Sequence, residues 1–208
     1  LTIADLLNET KEIFISAALI GSLFFVLQLG YLFFISMNDK RIFNYFEKTP
    51  FLLIPLFAIP ALSLKGILYL PGWRQAMLGL LLITVSMDSG AWFFGKKFGR
   101  VKLWPEVSPN KTFEGMMGGM VTSGVVATIY FYSTTAEASI FLFFLFAVFA
   151  GLSQLGDLFQ SKLKRQFDIK DSGNLIPGHG GIYDRVDSLF FISSMYLVWL
   201  YFRFTHFK

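Results

Sequence analysis

The sequence contains no cysteine. That excludes a disulfide framework, a thiolate nucleophile and a cysteine-based zinc site. It is also poor in charge. Asp, Glu, Lys and Arg supply 15% of its 208 residues, where a soluble domain carries about 25%. No small-residue cleavage site follows the first apolar run, so no secretory signal is evident. Repeats and low-complexity tracts are missing, and no polar stretch is long enough to fold as a separate soluble domain.

What fills the chain instead is apolar. Hydrophobic residues make up 54%, Phe alone contributes 26 residues, and the mean hydropathy is +0.57. The run from Ile13 to Met37 has no charge and exceeds the roughly 20 apolar residues that a bilayer-spanning helix needs. Thr49 to Leu64 is shorter and contains Pro55 and Pro60, which suits a kinked span or a re-entrant segment. Gln75 to Phe94 is interrupted by Asp88. Gly115 to Tyr132 is rich in small residues that permit close helix packing, Ser139 to Gly156 is dense in Phe, and Val186 to Phe202 comes last. Each is expected to be helical, because an isolated strand cannot satisfy its backbone in lipid. The pattern therefore predicts an all-α integral membrane protein, residues 1–208 forming one membrane-embedded domain of about six transmembrane helices. The chain begins at Leu1, and Leu1 to Glu12 reads as a short amphipathic stretch. A longer protein with an upstream part is the expectation.

The connecting loops differ in charge. Asn38 to Lys48, Gly95 to Glu114 and Asp157 to Arg185 together hold thirteen of the 18 Lys and Arg residues. With six spans these three loops fall on one side, and the positive-inside rule makes that side cytoplasmic, with both termini outside. The expected location is a cell inner (plasma) membrane.

The segment 157–187 is not an ordinary connector. Basic residues and carboxylates alternate along it and lead into Pro177-Gly178-His179-Gly180-Gly181. Glycines there allow close approach of a ligand, and neighbouring Lys and Arg suit phosphate. Asp157, Asp171, Asp184 and Asp187 offer the hard oxygen ligands that Mg²⁺ prefers. Simpler readings exist for each residue alone. Lys162, Lys164 and Arg165 also suit a helix end at lipid headgroups, and Asp184 and Asp187 also suit a helix cap. Asp88, an ionisable group inside a span, needs a partner or a watery cavity. Thr112 reads as the cap of a helix beginning near Glu114, with Lys111 beside it free to bind phosphate or to remain solvated.

Three strings carry a resemblance. Ser161-Lys162-Leu163-Lys164-Arg165, then Lys170-Asp171-Ser172-Gly173, then Ile176 to Asp187 (IPGHGGIYDRVD), resemble the signature of the CDP-diacylglycerol synthases, the phosphatidate cytidylyltransferases. Asp88 to Gly99 (DSGAWFFGKKFG) and Ser108 to Gly115 (SPNKTFEG) are similar to two upstream segments of that family. The likeness covers roughly the C-terminal two thirds, whereas family members usually have further N-terminal spans.

The resemblance implies transfer of the cytidylyl group of CTP to phosphatidate, with release of pyrophosphate, at a cytoplasm-facing polar cavity. It implies Mg²⁺, as one or two ions, and allows a monovalent cation beside it. Asp157 and Asp184 are the first expected metal ligands, with Asp187 and Asp88 next. Lys164, Arg165, Lys170 and Arg185 are expected on phosphates. Ser161, Asp171, Asn110, Lys111, His179, Gly180 and Gly181 are expected to contact substrate. A phosphate nucleophile is already ionised at neutral pH, which argues against His179 as an essential base. The expected partners are CTP, phosphatidate and the lipid bilayer, with no nucleic acid; a homodimer is left open. The competing readings are a CTP-dependent enzyme acting on another lipid phosphate (a CDP-archaeol synthase or polyprenol kinase type), an ion-coupled transporter, and an inactive structural piece.

Overall fold

The computed structural model describes residues 16, 19–28, 47–166, 168–169, 172–173 and 183–206. Its elements in chain order are α1 (Leu19–Gln28), a 3₁₀ turn (Pro50–Leu52), α2 (Leu53–Leu68), α3 (Trp73–Phe98), β1 (Lys102–Trp104), β2 (Ser108–Thr112), α4 (Phe113–Thr135), α5 (Ile140–Gln166) and α6 (Tyr183–His206). The chain divides into two compact units, one of residues 1–76 with 193–208 and one of residues 77–192.

In the first unit, small hydroxyl residues set the packing. Ser22 of α1, Ser63 of α2 and Ser194 of α6 form a buried chain of hydroxyl contacts at 3.3 and 3.0 Å. Interhelical hydroxyl pairs of this kind hold helices together where apolar burial gives little preference. Gly66 lets Leu197 approach so closely that a Cβ there would lie 2.8 Å from its methyl. Helix α2 continues through Pro60, and the hydroxyl of Ser193 donates to the Pro60 carbonyl at 3.3 Å. At 16 residues it rises only about 24 Å, less than the roughly 30 Å of a bilayer core.

In the second unit, glycine brings helices together. Gly90 and Gly95 of α3 face Gly119 and Gly115 of α4, with Cβ positions 3.0–3.5 Å from the opposing Cα atoms. The Ser123 hydroxyl of α4 donates to the Ile83 carbonyl of α3 at 2.9 Å. Gly124 of α4 lies against Phe143 of α5, and Phe131 packs on Phe146 with centroids 5.7 Å apart. Gly156 of α5 accepts the ring of Phe191 on α6, which also meets Phe159 edge-on at 5.9 Å.

Among the described residues, α3 and α5 are long and apolar enough to cross a membrane. Ile129 of α4 and Trp92, Phe141 and Phe144 beside them are exposed. Water would penalise such surfaces, whereas lipid does not. This is the surface and composition of a membrane protein.

Two expectations change. The fold is mostly helical but not wholly so: the loop between α3 and α4 folds into an antiparallel hairpin, with Lys102 opposite Thr112, Trp104 opposite Ser108 and a register slip between. Pro105 follows Trp104 in a turn closed by the Val107 N–H on the Trp104 carbonyl at 3.2 Å, and Val107 is buried. Helix α5 also runs to Gln166 rather than ending near Asp157. Leu158 and Phe159 remain buried past that point, and Lys164 and Arg165 in the last turn favour the negative end of the helix dipole.

Candidate active site

Extension of α5 decides the local geometry. Asp157, Ser161 and Lys164 stand on it at spacings of four and three, hence on one face. The Ser161 hydroxyl donates to Asp157 Oδ1 at 3.4 Å. From the hairpin, the Lys111 ammonium donates to Asp157 Oδ2 as an ion pair, both side chains about one quarter exposed. Trp104 at the other strand lies under the Lys162 ammonium, 4.5 Å from the ring centroid, and Lys162 is itself buried. The hairpin thus meets α5 at two points a little over one turn apart.

Thr112 ends β2 and starts α4. Its backbone is extended (φ −124°, ψ 155°), and its hydroxyl accepts from the Gly115 N–H at 3.2 Å. This is the expected N-cap. Glu114 in the first turn accepts from the backbone N–H groups of Arg100 and Val101 at 3.0 and 3.2 Å. Those donors, Arg100 first, hold its carboxyl below the usual carboxylate range.

Helix α6 contributes Asp187, which is buried and accepts from the Ser188 N–H at 2.7 Å. The Gly156–Phe191 contact explains its position: Gly156 adjoins Asp157, and Phe191 lies one turn beyond Asp187. Asp187 consequently feels the charges of Asp157, Lys164 and Lys111. Asp88 feels Asp157 and Lys111.

Beside this cluster is a cavity of about 210 Å³ formed by α3, the hairpin, α4 and α5. Asp88, Asn110, Lys111 and Gln154 bring polar groups to it, and Trp92, Leu103 and Met116 are among its apolar walls. Its surface is more apolar than the sequence pattern implied. Gln154 was not anticipated. A carboxamide inside the Phe-rich run of α5 was the available signal, since a polar group there needs a reason.

The fold therefore gathers Asp88, Asn110, Lys111, Asp157, Ser161, Lys164 and Asp187 in one region of the second unit. Arg165 stands apart: its guanidinium donates to the Ile169 carbonyl at 3.2 Å, closing the end of α5. Lys170, Asp171, His179, Gly180 and Gly181 lie outside the described residues. Asp184 and Arg185 belong to the first turn of α6, their side chains outside the description. Among the described residues, no group of three or more His, Cys, Asp or Glu is gathered tightly enough to hold a metal ion by itself.

The mostly helical, apolar frame thus brings carboxylates and lysines together beside one cavity. The chain belongs to the cytidylyltransferase family, whose sequence pattern matches residues 2–204. It is 52% identical over 114 residues to the phosphatidate cytidylyltransferase of Bacillus subtilis (strain 168), a match covering 53% of this chain and 42% of that protein. The enzyme of the same name from Staphylococcus haemolyticus (strain JCSC1435) is 44% identical over 112 residues, 53% of this chain and 43% of the relative. That from Staphylococcus saprophyticus is 39% identical over 132 residues, 61% and 51%. These matches span about half the length of the curated relatives.

Proposed function

We propose that this chain carries the catalytic region of a phosphatidate cytidylyltransferase, joining CTP and phosphatidate into CDP-diacylglycerol and pyrophosphate. The observation that carries this reading is the Lys111–Asp157–Ser161 contact chain, which joins the Ser108–Gly115 string to the one beginning at Ser161, beside the cavity that Lys111 lines. The relatives bear the same enzyme name, which favours phosphatidate over an archaeal or polyprenyl lipid phosphate. Charged side chains gathered in one region, rather than along several spans, disfavour an ion path.

The reaction needs alignment and charge neutralisation more than covalent chemistry. Lys111 and Lys164 are placed to hold phosphate oxygens, and Asn110 to donate a hydrogen bond. Ser161 and Lys111 fix the orientation of Asp157. The carboxylates of Asp157, Asp187 and Asp88 are hard oxygen donors of the kind Mg²⁺ takes, and Asp184 would complete the set. A bound divalent ion would act as Lewis acid and template for the triphosphate. Lys170, Asp171, Arg185, His179, Gly180 and Gly181 are assigned to substrate contact by the resemblance, His179 as a binding group rather than a base.

The same reading makes residues 1–208 one membrane-embedded domain with about six spans in an inner membrane. The site then faces the cytoplasm, where nucleotides are abundant. A monovalent cation and a homodimer are compatible with it.

The test is a Mg²⁺-dependent assay of CDP-diacylglycerol formation from CTP and phosphatidate, using this chain and a longer version side by side. Asp157→Asn should lower turnover at least about a hundredfold, about 2.7 kcal/mol of barrier, with the melting temperature retained. Undiminished turnover at ordinary Mg²⁺ rejects the metal assignment.

A further inference from the structure

The hairpin supplies Leu103, Asn110, Lys111 and Thr112 to the cavity wall, yet little in the hairpin itself fixes where it lies. Its strands have three and five residues with a register slip between them. An isolated two-stranded hairpin of that size is marginal at best. At its base the Glu114 carboxylate accepts from the Arg100 and Val101 N–H groups, and the Phe113 N–H donates to the Val101 carbonyl at 2.8 Å. A ribbon held only at its base can still swing at its far end. Trp104 stands toward that far end, opposite Ser108 and just before the turn.

Two contacts join the hairpin to α5, and they differ in character. The Lys111–Asp157 pair is about one quarter exposed on each side. An ion pair in reach of water is a weak anchor, and its partners can exchange. The Lys162 ammonium over Trp104 belongs to a residue only 4% exposed. A buried cation is costly unless its charge is met, and the face of Trp, the best ring for this purpose, meets part of it. An apolar residue at 162 would fill the same space without that cost, but it would accept any apolar neighbour. A cation over a ring fixes one partner and one approach. The spans also agree: Asp157 and Lys162 are separated by about 7.5 Å along α5, and the Trp104–Ser108 level of the hairpin lies about 10 Å from Lys111.

We infer that Trp104 and Lys162 are positioning residues: their buried contact holds the far end of the hairpin on α5, and this keeps Lys111 set against Asp157 at the cavity. The buried contact anchors, and the exposed one is left free to exchange with substrate. The inference rests on the proposed reaction for its consequence in turnover and deepens it. Neither residue touches substrate. They act through Lys111, whose misplacement by about 1 Å is enough to cost up to about a hundredfold in rate.

The experiment measures kcat for CDP-diacylglycerol formation, and the melting temperature, for Lys162→Met, Lys162→Arg, Trp104→Leu and Trp104→Phe. Lys162→Met and Trp104→Leu should lower kcat at least about tenfold. Lys162→Arg and Trp104→Phe keep a cation over a ring and should retain most of it. Lys162→Met should melt no lower than wild type, because an apolar chain of similar length removes a buried charge. In a Lys111→Ala background, Lys162→Met should lower the remaining rate by less than about twofold, since the effect passes through Lys111. Unchanged kcat in Lys162→Met overturns the inference. So does a fall of kcat and melting temperature together in that variant, which assigns the contact to folding alone. A full further loss in the Lys111→Ala background overturns it as well. A separate arm needs no reaction. Because the chain lacks cysteine, Lys111→Cys and Asp157→Cys together place its only two thiols. The rate at which a short bifunctional thiosulfonate joins them reads the seating of the hairpin. Adding Lys162→Met should slow that rate at least about threefold, and adding Lys162→Arg should not. An unchanged rate overturns the inference. If wild type forms no CDP-diacylglycerol yet the cross-link slows as expected, the proposed reaction fails and the positioning contact stands.

Discussion

Glu114 shows how one side chain ties the hairpin to the helix that follows. Its carboxylate accepts from two backbone N–H groups just beyond α3 while it sits in the positively polarised first turn of α4. Because these contacts lower its folded-state pKa, its contribution is present above the unfolded-state value and lost as pH falls through the folded one. Glu114→Gln should therefore melt below wild type at neutral pH, and the gap should narrow below about pH 4. Melting curves of both proteins across a pH series check this; a gap independent of pH would assign the loss to packing. At this scale the sequence was informative about chemistry. The segments containing Asp88, Lys111, Asp157 and Ser161 are the ones the fold gathers. Gln154 was signalled only as a carboxamide within an apolar run; that it lines the cavity is a property of three dimensions.

Elements meet here through glycine, and the cost of filling each position depends on what stands opposite. A Cβ at Gly115 would lie 2.7 Å from the Ala91 carbonyl oxygen, and one at Gly119 would lie 2.7 Å from the Met87 carbonyl oxygen. Both neighbours are backbone and cannot turn aside. A Cβ at Gly151 would meet the flexible end of Met120 at 3.1 Å. Gly115→Ala and Gly119→Ala should each destabilise the protein by about 1–3 kcal/mol, whereas Gly151→Ala should cost less than about 1 kcal/mol. Equilibrium unfolding in detergent would rank them, and equal losses at all three sites would refute the backbone argument. The small-residue pattern of α4 was legible as a packing surface, but not the choice of α3 and α5 as its partners. The positions of α3 to α6 were legible because apolar runs of that length leave little choice in lipid. The hairpin was not: strands of three and five residues with Lys, Pro and Asn lack alternation, and Pro105 and Val107 shape them only through their surroundings. The end of α5 was misplaced because polarity marks where a helix leaves an apolar medium, not where its hydrogen bonding stops.

For the molecule as a whole, the proposed six-span arrangement makes a prediction that the lack of cysteine renders clean. A single introduced cysteine is the only thiol. Lys102→Cys in the hairpin and Glu137→Cys between α4 and α5 should lie on opposite sides of the membrane. In sealed vesicles of cytoplasmic-side-out orientation, a membrane-impermeant maleimide should label the first and spare the second. Labelling of both, or the reverse pattern, would reject the topology. By itself the sequence determined that the chain is apolar enough for lipid and helical along most of its length. It also determined that its carboxylates and lysines, Asp88 apart, lie at the edges of apolar runs, because the cost of burying backbone and charge in hydrocarbon restricts what such a composition can do. Tertiary structure alone decided which of those edges meet. Glycine contacts between α3 and α4, and the Gly156–Phe191 contact between α5 and α6, act across long sequence separations. They set Asp157 against Lys111 and within the field of Asp187.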